Sequence, residues 1–320
     1  MVAAGAGTQV GARESDKPSN WPSLQASRTA FHEFPDPAMS ALPAATAFRT
    51  PRDVDGWVRY FRQLEIPVLA STAAAIEEMR LVEDDVDARI ISEVIGRDPL
   101  MTLKLLVHAS TQGANRRLTD AETVVEALVL MGITPFFRAF GPQPTIEDRL
   151  AGHPDALAGL RHVLDRADRA ARFAASFAIH RADHDAIVLH EAAQLHDFTE
   201  MLLWLNAPEL ALEIQRRQQA DPALRSCAVQ RELLNAELNE IQHELMQLWR
   251  LPEILVRITD DHHAENSQVR NVLLAISIAR HTMNGWDNPA VPDDVRDIAA
   301  LLHLSIEPTR QLLLDIDRED

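Results

Sequence analysis

Cysteine is almost missing from this 320-residue chain; Cys227 is its only one. That excludes a disulfide framework and any four-cysteine zinc site, and it fits a reducing compartment. Lysine is nearly as scarce. Only Lys17 and Lys104 occur, so a lysine-based mechanism has almost nowhere to sit. Positive charge is short overall: 31 basic residues face 48 acidic ones, for a net charge of −17. Such a balance argues against phosphate-backbone binding as the main activity and against a polybasic membrane contact. No apolar run approaches the ~20 residues of a membrane span. The opening MVAAGAGTQVGARESDK has no basic segment followed by an apolar one, as a secretory signal would. The expectation is a cytoplasmic protein that binds neither nucleic acid nor membrane. Gly-rich phosphate loops, a nucleophile elbow and a cysteine–histidine pair are absent too.

What is present is 46% hydrophobic and ordinary for a globular protein. Up to Thr50 the acids Glu14, Asp16, Glu33 and Asp36 balance Arg13, Lys17, Arg28 and Arg49, so the negative charge resides in the remainder. Residues 1–53 read as a disordered tail or linker: six prolines from Pro18 to Pro51 interrupt it, and Trp21, Phe31, Phe34 and Phe48 follow no period. From Val54 the pattern is helix after helix. Trp57, Phe61 and Leu64 share one face. Asp98-Pro99 starts a helix with a carboxylate cap and a first-turn proline. Thr119 and Glu122 have capping-box spacing ahead of a helix that Gly132 closes. The spacing predicts continuous helices over Ile187 to Trp204 and Ala228 to Trp249, and no segment alternates like a strand. The fold class is all-α in two helical lobes, 54–141 and 145–320, divided near Gly141-Pro142-Gln143-Pro144.

The sharpest polar feature is His196-Asp197 within the apolar AAQLHDFTEMLLW. Buried polar groups need partners, and adjacent His and Asp can ligate one metal. The second is His262-His263, after Leu251-Pro252-Glu253. Both have structural readings: a hydrogen-bonded helix tie, and histidines favoured at a helix C-terminus. His180 and His184 have i, i+4 spacing but lie in a polar helix end. Trp204, Trp249, Met79, Met101 and Met131 read as packing residues.

His196-Asp197, Trp249-Arg250-Leu251-Pro252 and His262-His263 together resemble the HD phosphohydrolase superfamily. The first half narrows the likeness. Ile66-Pro67-Val68-Leu69, the stretch Ile91 to Thr102 with Asp98-Pro99-Leu100-Met101-Thr102, Leu118-Thr119-Asp120 and Ala127 to Gly132 are similar to the HDOD domain family of bacterial signalling. That family is related to the HD-GYP cyclic-dinucleotide phosphodiesterases. The metal histidine that active relatives carry ahead of His-Asp falls here at Asp165 or Arg166, with His162 one turn away. Their following Gly and Lys correspond to Thr199 and Glu200. The next ligand histidine falls within Leu238 to Gln242, with His243 a few residues off register. Ala264-Glu265-Asn266-Ser267 stands for the signature loop, and Ala279-Arg280 for a late Ala-Asp.

The resemblance therefore implies a non-catalytic regulatory protein that binds a signalling partner, or a nucleotide, in a pocket near His196, Asp197, His262, His263, Arg166 and Arg280. No cofactor is expected. The alternative is a metal-dependent phosphohydrolase or cyclic-dinucleotide phosphodiesterase, with iron, manganese or zinc on His196, Asp197, His262 and His263. A ligand role for His162, His243 or His281 would favour it.

Overall fold

The computed structural model describes residues 49–113, 121–221, 224–259 and 266–318. Apolar periodicity becomes seventeen α-helices among them. The first six are α1 (Val54–Phe61), α2 (Ala70–Leu81), α3 (Ala88–Ile95), α4 (Pro99–Gly113), α5 (Val124–Met131) and α6 (Ile133–Ala139). After a loop come α7 (Ile146–Arg149), α8 (Pro154–His180), α9 (Ala186–Leu195), α10 (Phe198–Asn206), α11 (Pro208–Ala220) and α12 (Ser226–Leu234). The remaining helices are α13 (Leu238–Leu248), α14 (Glu253–Ile258), α15 (Ser267–His281), α16 (Val291–Leu302) and α17 (Ile306–Arg318). The described residues contain no named strand, only one parallel bridge between Val68 and Thr145. The tail expected over 1–53 falls almost wholly outside the described residues.

The long helix α8 starts with Pro154 in its first turn, where a missing N–H costs nothing. Alanine then keeps its buried stripe thin (Ala156, Ala167, Ala170, Ala171, Ala174, Ala178), so α4, α9, α10, α11, α15 and α17 can pack around it. Gly159 allows the closest approach. A Cβ there would lie 2.4 Å from the Trp204 ring of α10, a contact that only glycine permits.

One core cluster runs from Trp57 to Ile316, and the loop after α6 lies within the same compact unit. Polar ties cross it. Trp57 Nε1 donates to Leu234 O (2.8 Å), and Gln194 Nε2 to Gly96 O (2.6 Å). The loop itself is stitched back: Val68 N donates to Pro144 O and Ile146 N to Val68 O, both at 2.9 Å. The Lys104 ammonium donates to Ile66 O (2.9 Å) and to the Gln143 side chain.

The helix start at Asp98-Pro99 is present and does more than cap. Asp98 is fully buried. Its Oδ1 accepts from Leu100 N and Met101 N, while Oδ2 accepts from Leu69 N at the head of α2 (2.8 Å). The other expected cap is displaced. Thr123, not Thr119, is the N-cap of α5, and its Oγ1 accepts from Glu126 N. Thr119 lies outside the described residues. The amide that follows the cap, Val124 N, donates to Glu191 Oε1 of α9 (2.9 Å). Two predicted long helices are broken. Ile187 to Trp204 divides into α9 and α10 at His196-Asp197, and Ala228 to Trp249 divides at Asn235, whose φ of 58° is left-handed. Asparagine tolerates that conformation better than most residues.

Two measurements test these ties. Asp98→Ala leaves three backbone N–H groups without their acceptor; urea unfolding is expected to show a loss of about 3 kcal/mol. Glu191 is 6% exposed. Burial, reinforced by Glu126 and opposed by the Val124 N–H, pushes its carboxyl from 4.5 up to about 8. A raised folded-state value means the folded protein holds a proton that the unfolded chain has released. The associated stability is complete below pH 4.5 and is lost as the pH rises to about 8. Relative to Glu191→Gln, wild type is expected to weaken across that window by up to about 1.4 kcal/mol per pH unit, then level off.

Candidate functional site

The break between α9 and α10 brings His196 and Asp197 to the α8 surface. His196 is 6% exposed. Asp197 stands at the N-cap position of α10, yet its side chain accepts no cap hydrogen bond. Both its oxygens are engaged elsewhere. Oδ1 lies 3.0 Å from His196 Nδ1. Oδ2 accepts from Arg166 of α8 through Nε (3.1 Å) and Nη2 (2.6 Å). The same Nη2 donates to Glu200 Oε2 (2.6 Å), one turn along α10. One guanidinium thus binds two carboxylates, with the three side chains largely sheltered from solvent.

The charges of this cluster reinforce one another. Burial alone would raise the Asp197 carboxyl, but Arg166, then His196 and Arg280, hold it well below the usual carboxylate range. Burial by itself would lower the Arg166 guanidinium; Glu200 and Asp197 reverse that and raise it. Beside the cluster, Thr199 Oγ1 donates to Gln242 Oε1 of α13 (3.3 Å). The residues that differ from an active relative's pattern therefore bond to each other, Arg166 with Glu200 and Thr199 with Gln242.

These side chains line a cavity of about 680 Å³. His162, Arg166, His196, Asp197 and Arg280 all face it, so four of the six expected pocket residues converge. The other two, His262 and His263, lie outside the described residues. Of the supplementary histidines, only His162 reaches the cavity. His243 bonds Gln247, and His281 Nδ1 lies 2.6 Å from Asp294 Oδ2. His180 and His184 are exposed. Trp204 packs against α8 and also lines the cavity, while Trp249 packs on Phe198 with ring centroids 5.8 Å apart.

Sequence reasoning missed Glu200 as the second anion on Arg166. It also missed the wall built by α11, α12 and the start of α13, including Arg225, Gln230 and Glu237. The spacing of Arg166, Asp197 and Glu200 carried a signal only for Glu200, which lies three residues after Asp197 on the same helix face.

The donor set suits a metal ion poorly. An ion at Asp197 would have to displace a guanidinium that already gives Oδ2 two hydrogen bonds. Among the described residues no three His, Cys, Asp or Glu side chains are grouped to hold a metal.

The HDOD domain family matches the sequence over residues 66–265. No curated protein matches it. The fold is similar to that of the MmoQ response regulator of Methylococcus capsulatus (20% identity, 78% of this chain, 98% of that one, TM-score 0.61). It is also similar to a virulence factor of Campylobacter jejuni (15% identity, 83% and 99%, TM-score 0.57). None of the helices among the described residues is long and apolar enough to cross a membrane. With that match spanning well over half its length, the chain belongs to the HDOD domain family.

Proposed function

We propose that this protein is a non-catalytic regulatory HDOD protein of the bacterial cytoplasm that acts by binding a signalling partner. The observation that carries this reading is the Arg166 guanidinium, seated on Asp197 and Glu200. A hydrolytic metal centre needs open carboxylate and imidazole donors and a bound water whose pKa the ion lowers. Here the carboxylate that would hold the ion is neutralised by a side chain that never loses its charge. Arg280, at the place of a late ligand carboxylate, adds a second positive charge that acts on Asp197. Family membership supports the signalling role, as does the likeness of fold to a protein called a response regulator.

The competing reading is a metal-dependent phosphohydrolase with a reduced ligand set. Incubation with Mn²⁺, Fe²⁺ or Zn²⁺ and bis(4-nitrophenyl) phosphate separates the two. Release of nitrophenolate is expected to match that of His196→Ala. Metal-dependent turnover that His196→Ala abolishes would overturn the proposal and establish the hydrolase.

A further inference from the structure

The cavity lacks the acidic excess of the rest of the protein. The chain carries 31 basic residues against 48 acidic ones. The cavity wall carries three arginines, Arg166, Arg225 and Arg280, against three carboxylates, Asp197, Glu200 and Glu237. All three carboxylates already have a cation. Arg166 binds Asp197 and Glu200, and Arg231 binds Glu237. Arg225 and Arg280 remain, both exposed and with no hydrogen bond or ion pair among the described residues. The lining is thus balanced in charge within a strongly acidic protein, and two of its guanidinium groups face the cavity without a hydrogen-bond or ion-pair partner among the described residues. A lining that only kept the protein soluble would share the acidic bias of the rest of the surface.

The rest of the wall is matched to an organic ligand. Trp204, Val163 and Ile214 give an apolar floor, and Gln215, Gln218 and Gln219 offer neutral donors and acceptors. A volume of about 680 Å³ is that of a small-molecule site. Guanidinium groups bind phosphate oxygens in paired hydrogen bonds. Resting on the metal-free reading above, we infer that the cavity binds a phosphate monoester of nucleotide size, its phosphate held by Arg280 and Arg225 without a metal ion. Arg166 is assigned no part, since its Nε and Nη2 are held by Asp197 and Glu200.

Calorimetric titration of the full chain in buffer containing EDTA tests this, with AMP, GMP, their nucleosides and inorganic phosphate as probes. At least one nucleotide is expected to bind ~10-fold or more tightly than its nucleoside, and Arg280→Gln and Arg225→Gln each to weaken it ~10-fold. Both side chains are exposed, so the variants are expected to melt with the wild type. Equal binding of nucleotide and nucleoside, or unchanged affinity in both variants, overturns the inference. So does the lack of binding at millimolar nucleotide, with or without Mn²⁺, and that result leaves the metal-free reading standing. Nucleotide binding that appears only when Mn²⁺ replaces EDTA overturns both.

Discussion

The contact between Arg166 and the two carboxylates of α10 fixes most of what surrounds it. Two helices distant in sequence, α8 and α10, are joined through a guanidinium fork whose donors point in fixed directions. A buried ion pair contributes little net stability, because desolvation offsets its attraction. Removing one partner is costly, about 3–5 kcal/mol, since a charge is left buried and uncompensated. The pair is therefore better understood as fixing a geometry than as supplying stability. It holds Asp197 ionised, sets the rotation of α10 against α8 and positions His196 beside the carboxylate. Gly159 completes the arrangement by letting Trp204 lie against α8.

The surrounding helices turn that geometry into a cavity. Asp98 and Lys104 tie α4 to the segment ahead of α2, and Lys104 also reaches Gln143 in the loop that follows α6. Glu191 and Gln194 of α9 reach the N-terminal helices, through Val124 N and Gly96 O. The rear of the site is thus rigidly backed, while its open side is formed by α11, α12 and the last turn of α15. At the rear, the buried Asp98, Glu191 and Gln194 each reach a backbone partner. At the mouth, Arg225 and Arg280 are exposed and uncommitted. That division is what a binding site with a fixed floor and an accessible rim requires.

Much of the fold was legible in the sequence, because helical periodicity, Pro at the first turn and Gly at the last are local signals. What was not legible depends on contacts distant in sequence. The stretch Thr119 to Glu126 contains the Thr-x-x-Glu cap spacing twice, and local chemistry cannot choose between the two. Glu191, 67 residues beyond Val124, accepts that amide and accompanies the cap at Thr123. Ile187 to Trp204 is apolar enough for one helix; it breaks where the Asp197 side chain turns to Arg166, 31 residues back. Of the pocket residues, Arg166 and Arg280 were found through family resemblance, but that Arg166 would be neutralised while Arg280 stayed open could be seen only in three dimensions.

The central claim is that Arg166 occupies the place a metal ion would need. Titrating Mn²⁺ and Zn²⁺ into wild type and Arg166→Ala, with folding checked by circular dichroism, tests it most directly. No stoichiometric binding is expected in wild type, whereas Arg166→Ala, with Asp197 and Glu200 uncovered, is expected to gain a divalent-cation site. Stoichiometric binding by the wild type that His196→Ala or Asp197→Asn abolishes would contradict the account.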